Sequence, residues 1–121
     1  MKSYRDLEIY KLAFDLAFEV HQMSLTLPKH ELYEQGSQIR RSSKSVKDNI
    51  VEGYGRRRYK AELIKYLTYA QASHDETSSQ LQMINRIYSS NPTRDRLVSN
   101  YQILGRKINQ YLQYVENNWR T

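Results

Sequence analysis

Apolar residues recur three and four positions apart in four separate blocks of the chain, the spacing that gathers side chains on one face of an α-helix. In the first block, about residues 6–27, Ile9, Ala13, Leu16, Val20, Met23 and Leu27 fall on one side of a predicted helix. A second stripe, Leu7, Tyr10, Phe14, Phe18 and Leu25, is centred about 140° away at 100° per residue. Glu8, Lys11, Asp15, Glu19 and Gln22 remain as a polar wedge. One stripe suffices for the core of a small bundle. The second is surplus and calls for a third neighbouring helix or another subunit, so these five residues are the expected self-association interface.

The second block, about 31–54, places Leu32, Gly36, Ile39, Ser43, Val46, Ile50 and Gly53 alternately four and three apart, as in a coiled-coil seam. Gly36 and Ser43 make that seam narrow, so a neighbouring helix can approach closely. The helix is expected to stop at Gly53-Tyr54-Gly55, where glycine can take the left-handed conformation. The third block, about 59–90, repeats the alternation in Leu63, Leu67, Ala70, His74, Thr77, Leu81, Ile84 and Tyr88. Its middle is small and polar, to face a partner that is also small. Tyr66, Tyr69, Ser73, Glu76 and Gln80 form an aromatic-then-polar edge beside it. The fourth block, about 92–119, opens with Asn91 as N-cap and Pro92 in the first turn, then runs Leu97, Tyr101, Leu104, Ile108, Leu112, Val115 and Trp119.

The breaks between blocks fall at Pro28, at Gly53 with Gly55, and at Asn91-Pro92. Short connections imply antiparallel neighbours. The 121 residues are thus expected to form one all-α domain over 1–121, an antiparallel up-and-down four-helix bundle. No run of about 18 apolar residues occurs and the first residues are charged, so no membrane role and a cytoplasmic location are expected. Cysteine is absent, which excludes disulfides, thiolate catalysis and cysteine-ligated zinc.

Charge changes the picture once it is located. Residues 37–60 hold Arg40, Arg41, Lys44, Lys47, Arg56, Arg57, Arg58 and Lys60 against Asp48 and Glu52, which accounts for the whole net charge of +6. Arg40, Lys44 and Lys47 stack along one helix face with Arg41 beside them, and Gly55-Arg56-Arg57-Arg58-Tyr59-Lys60 places four cations at a turn. A local basic excess is the pattern of an anion-binding surface, with Tyr54 or Tyr59 available to stack on an unpaired base. Two blander readings stand beside it: a solvated helix face, and arginines paired with acidic residues of a neighbouring helix or subunit.

Other chemistry is poorly supported. His21, His30 and His74 are far apart, with none paired at metal-ligand spacing, and His74 fits a hydrogen-bonded core histidine. Asp75-Glu76 has no second group or pocket to make it an acid–base pair, and Gly53-Tyr54-Gly55 lacks the remainder of a dinucleotide or phosphate loop. No catalytic residue, metal or cofactor is expected.

Residues 38–56, from Gln38-Ile39-Arg40-Arg41 through Ser45 and Asn49-Ile50-Val51-Glu52-Gly53 to Gly55-Arg56, resemble the signature of the four-helix-bundle family named for proteins encoded in 23S ribosomal RNA intervening sequences, also called S23 ribosomal protein-like. Tyr4-Arg5-Asp6-Leu7-Glu8 is similar to the family's opening, and Leu63 through Glu76 to its third helix. Lys47 stands where the family usually has proline, Ala72 where it has glycine, and His74 and Thr77 where it has leucine. The resemblance implies an antiparallel four-helix bundle that assembles with copies of itself, as a pentamer in relatives of known structure. A relative, the accessory variability determinant protein of diversity-generating retroelements, binds nucleic acid and a reverse transcriptase. Carried over by motif, Gln38, Asn49, Glu52 and Gly53 are structural positions, with Asn49 and Glu52 holding the helix end and its turn, and the arginines are the partner contacts. The expectation is a non-enzymatic homo-oligomer that binds RNA or DNA through its basic surface. The alternative is a scaffold that docks a protein such as a reverse transcriptase without touching nucleic acid.

Overall fold

In the computed structural model, which describes residues 2–120, four helices account for most of the chain: α1 (Glu8–Ser24), α2 (Gln35–Gly55), α3 (Lys60–Tyr88) and α4 (Pro92–Asn118). Short 3-10 helices over Tyr4–Asp6 and Lys29–Tyr33 precede α1 and α2. Each helix packs against its two neighbours around a ring, α1 on α2, α2 on α3, α3 on α4 and α4 on α1. Contacts run in opposite directions across every pair. His21 meets Lys44 while Phe14 lies near Lys47, and Ser42 meets Thr77 while Ser45 meets Ser73. His74 reaches Tyr101 while Asn85 reaches Arg94, and Glu8 pairs with Lys107 while Glu19 pairs with Arg96. The architecture is the antiparallel up-and-down four-helix bundle. No helix is long and apolar enough to cross a membrane among the described residues.

The periodic residues form the core. Ile9, Ala13, Leu16, Val20 and Met23 of α1 meet Ile39, Val46 and Ile50 of α2, Leu63, Leu67, Ala70, Leu81 and Ile84 of α3, and Leu97, Tyr101, Leu104, Ile108 and Val115 of α4. The α2–α3 seam is narrow and polar at its middle, as its small residues require. Thr77 donates to Ser42 at 2.9 Å, Ser42 donates to Gln80 at 2.6 Å, and the Ser45 and Ser73 hydroxyls lie 2.9 Å apart. Thr77, which departs from the family pattern, is therefore matched by Ser42 across the interface.

Several local expectations are corrected. The first helix is shorter than 6–27, because Leu7 is extended and Leu25 caps a helix that ends at Ser24. After Pro28 the chain takes the tighter 3-10 winding, which turns Leu32 out to solvent and Glu31 inward, so Leu32 does not belong to the seam. Gly36 lies beneath the Glu31 carbonyl, which a Cβ would meet at 2.5 Å, rather than beneath a neighbouring helix. No glycine takes positive φ among the described residues, and α2 runs through Gly53 to Gly55 before Arg56 caps it. Gly53 instead permits close approach, since its Cβ would stand 3.1 Å from that of Tyr66.

Two buried polar groups tie the ends and the middle together. Glu31 accepts from Tyr88 Oη and, at 2.8 Å, from Gln35 Nε2, which joins the 3-10 helix to the end of α3. The Tyr88 hydrogen bond, followed by those of Gln35, holds the Glu31 carboxyl below its ordinary range against the opposing effect of burial. The same bond, with burial, pushes Tyr88 up to about 12. At the α3–α4 seam His74 donates from Nε2 to the Tyr101 carbonyl at 2.5 Å, in space left by Gly105. The Tyr101 hydroxyl is buried with no partner among the described residues, and burial pushes its pKa upward.

A Cβ on Gly105 would lie 2.5 Å from His74 Cε1 and 2.8 Å from Nε2. Gly105→Ala gains roughly 1 kcal/mol of helix propensity and meets overpacking that typically costs about 1–3 kcal/mol. The expected outcome in urea unfolding is net destabilisation, whereas Gly55→Ala, with open space around it, shows none. For Glu31, whose folded pKa lies below its unfolded one, the stabilisation is complete above the unfolded value and is lost as pH falls through the folded value. The Tm gap between wild type and Tyr88→Phe should therefore be widest near neutrality and shrink below about pH 4. The Tyr88 contribution runs the other way, present below about pH 10 and lost as pH rises through about 12.

Candidate nucleic-acid interface

The eight cations of residues 37–60 do not form one surface. At 100° per residue α2 turns Arg40, Lys44 and Lys47 toward α1 and Arg41 toward α3. Lys44 and Lys47 line a shallow groove with Phe14, Ala17, Phe18, His21 and Gln22, while Arg41 lines an open polar cleft with Gln38, Ser42, Ser45, Glu76 and Gln80. Arg56, Arg57, Arg58 and Lys60 lie at the far end of the bundle, where α2 turns into α3.

Structural work absorbs half of them. Arg40 donates to Ser24 Oγ at 2.9 Å and to the Leu32 carbonyl at 2.6 Å, bracing the end of α1 against the 3-10 helix. Arg56 pairs with Glu52 at 2.9 Å and Glu62 at 3.0 Å, and lies over the Tyr66 ring. These bonds, Glu52 first, raise its pKa further. Arg57 donates to the Tyr54 carbonyl at 2.8 Å and stacks on that buried ring, while the Trp119 indole donates to the Arg57 carbonyl. Lys60 donates to the Glu116 carbonyl at 2.8 Å. Pairing with acidic side chains therefore describes Arg56 and also Lys47, which meets Asp48 at 2.6 Å.

Arg41, Lys44 and Arg58 are exposed and form no ion pair among the described residues. Lys44 donates to His21 Nδ1 at 3.3 Å. Burial, then the charges of Lys44 and Arg40, push the His21 imidazole below its ordinary range, so the ring stays neutral and accepts that bond. Arg58 extends over the exposed ring of Tyr59.

The structural positions of the motif divide similarly. Glu52 accepts from Arg56 Nε and Nη2 and so fastens the end of α2. Asn49 donates to the Ser45 carbonyl at 2.9 Å and to its hydroxyl at 3.1 Å, which supports the Ser45–Ser73 contact. Gly53 is the close-approach position already described. Gln38 holds no partner among the described residues and faces the polar cleft.

The expected self-association stripe is partly spent within the chain. Leu7 and Tyr10 are half-buried and pack on the core, with Tyr10 edge-on to Tyr4. Phe14, Phe18 and Leu25 remain 47%, 61% and 54% exposed. Buried Arg94 was not anticipated as an anchor. It donates to Asn85 Oδ1 at 2.7 Å and to the Ser89 carbonyl, capping α3 where Ser89 takes φ 65°. Its place two residues after Pro92 is the sequence cue, because a basic side chain there can reach back to the last carbonyls of the preceding helix.

The sequence model of the 23S rRNA-intervening sequence protein family matches residues 5–110. A solved structure from Bacteroides thetaiotaomicron, described as a protein of unknown function from the S23 ribosomal protein family, is similar with a TM-score of 0.77 and 17% identity, over 87% of this chain and 95% of that one. No curated protein matches the sequence.

Proposed function

The chain belongs to the 23S rRNA-intervening sequence protein family, and from that membership we propose that it is a non-enzymatic homo-oligomer that binds RNA or DNA through its basic surface. The supporting observation is unbalanced positive charge: Arg41, Lys44 and Arg58 stand at the surface without carboxylates, and the field beside Lys44 is strong enough to help keep His21 neutral. Phosphate is the anion such scattered, solvated cations suit, because it needs charge rather than a shaped pocket. Each chain alone offers few contacts. A ring of chains, five by the resemblance above, repeats them and converts weak contacts into avidity.

Self-association is assigned to Phe14, Phe18 and Leu25, whose exposure leaves an apolar strip along α1. The alternative, a scaffold docking a protein partner, gains support from the pairing of Lys47 and Arg56, which leaves fewer cations for phosphate.

Phe14→Glu with Phe18→Glu should give a monomer with helicity retained, and unchanged mass by light scattering would remove the interface assignment. Binding to a fluorescent duplex DNA should weaken steeply with salt. Changing Arg41, Lys44 and Arg58 to alanine should lower the slope of log affinity against log salt by roughly 3, about 0.9 per lost phosphate contact. Absence of binding by the wild-type oligomer at low salt would retire the nucleic-acid reading and leave the scaffold.

A further inference from the structure

From the turn after α2, tyrosines and cations alternate along the edge of α3 that faces α2. Arg58 lies 5.8 Å from the centroid of the Tyr59 ring, Arg56 4.9 Å from Tyr66, and Lys65 5.5 Å from Tyr66 and 5.9 Å from Tyr69. Tyr66 and Tyr69 meet edge to face at 5.4 Å. The outer rings are open to solvent, Tyr59 57% and Tyr69 46% exposed. Neither is needed to fill the core, where the same helix already buries Leu63, Leu67 and Ala70.

We infer that this edge, from Arg58 to Tyr69, binds an unpaired nucleic-acid strand, with bases stacked on Tyr59 and Tyr69 and phosphates held by Arg58 and Lys65. The inference rests on the nucleic-acid reading above and adds to it a preference for single strands. An aromatic face accepts any base but only when the base is out of a duplex, and a cation beside the ring meets the phosphate that follows. Carboxylates set the limits of the strip. Glu52 and Glu62 hold Arg56 between the two rings, which leaves its charge largely balanced and the outer cations as the phosphate contacts. Beyond Tyr69 the same edge continues as Ser73, Glu76 and Gln80, and Glu76 repels a backbone that extends further. Ten residues of helix between Tyr59 and Tyr69 span about 15 Å at 1.5 Å per residue, room for roughly four nucleotides at 3.4 Å each.

This strip is distinct from the α1–α2 groove, where the exposed rings Phe14 and Phe18 lie beside Lys44 and Lys47. It therefore stays open when α1 is covered by another subunit.

The test compares Tyr59→Leu with Tyr69→Leu, which keeps side-chain bulk and removes the aromatic faces, against wild type. The probes are a short fluorescent single-stranded RNA and a duplex DNA at fixed salt, and thermal melting confirms that the variant is folded. The expected result is at least about tenfold weaker binding of the single strand, with an unchanged salt slope and unchanged duplex affinity. Equal single-strand binding by variant and wild type, or an equal loss on single strand and duplex, overturns the stacking strip and leaves the basic-surface reading standing. Absence of wild-type binding to either probe at low salt overturns both. A third variant, Arg58→Ala with Lys65→Ala, should lower the salt slope for the single strand by roughly 1.4, about 0.7 per contact, and an unchanged slope would remove these two cations as the phosphate contacts.

Discussion

The narrow seam between α2 and α3 is the constraint on which the rest of the bundle depends. Gly53 brings α2 close to Leu63 and Tyr66 at one end, while Ser42, Ser45, Ser73 and Thr77 meet through hydroxyls in the middle. A leucine-filled interface tolerates sliding by a turn, because one apolar contact replaces another. A hydroxyl pair does not, since a slip leaves buried donors and acceptors unpaired at roughly 1–3 kcal/mol each. The seam thus sets the register of α2 against α3, and with it where the cations of α2 emerge.

Because α2 is wedged between α1 and α3, its two exposed edges open onto different neighbours. Arg41 emerges beside Glu76 and Gln80, and Lys44 and Lys47 emerge beside Phe14 and Phe18. A basic run that is continuous in sequence therefore becomes three separated sites, counting the turn at Arg58. The net charge of the segment survives folding, but its concentration at one place does not. What remains is a molecule with several weak anion contacts on different faces, a distribution that favours a long flexible polyanion or repeated subunits over a compact anionic ligand.

The core was legible in the sequence because burial and helical periodicity describe the same fact. Ile39, Val46 and Ile50 on α2, and Leu63 through Ile84 on α3, fall where the alternation puts them. Leu32 escapes the pattern because 3-10 winding after Pro28 has a different period, and the expected glycine stop fails because Gly53 is small for packing rather than for φ. The departures at His74 and Thr77 are compensated by Gly105 and Ser42, pairings that no periodicity within one helix can reveal. The cations were least legible. A long side chain reaches about a turn beyond its own position, so the Leu32 carbonyl that Arg40 finds and the Glu62 that Arg56 finds depend on tertiary placement. Sequence gave their number and order but not which ones remained unpaired.

The α1–α2 groove joins the two halves of the functional reading. Phe14 and Phe18 favour cover by an apolar surface, while the Lys44 ammonium is costly to bury without a counter-charge. Lys47 already has Asp48, and its ammonium lies 6.0 Å from the Phe14 ring, so it tolerates partial cover. Lys44 has only the neutral His21. A subunit that covers both phenylalanines must therefore leave Lys44 at the rim in water or bring a carboxylate to it. In the first arrangement assembly draws the Lys44 residues of successive chains around one edge of the ring and raises the local positive field. In the second it cancels that field. The groove that drives assembly consequently also decides how much of the basic surface the assembled protein presents.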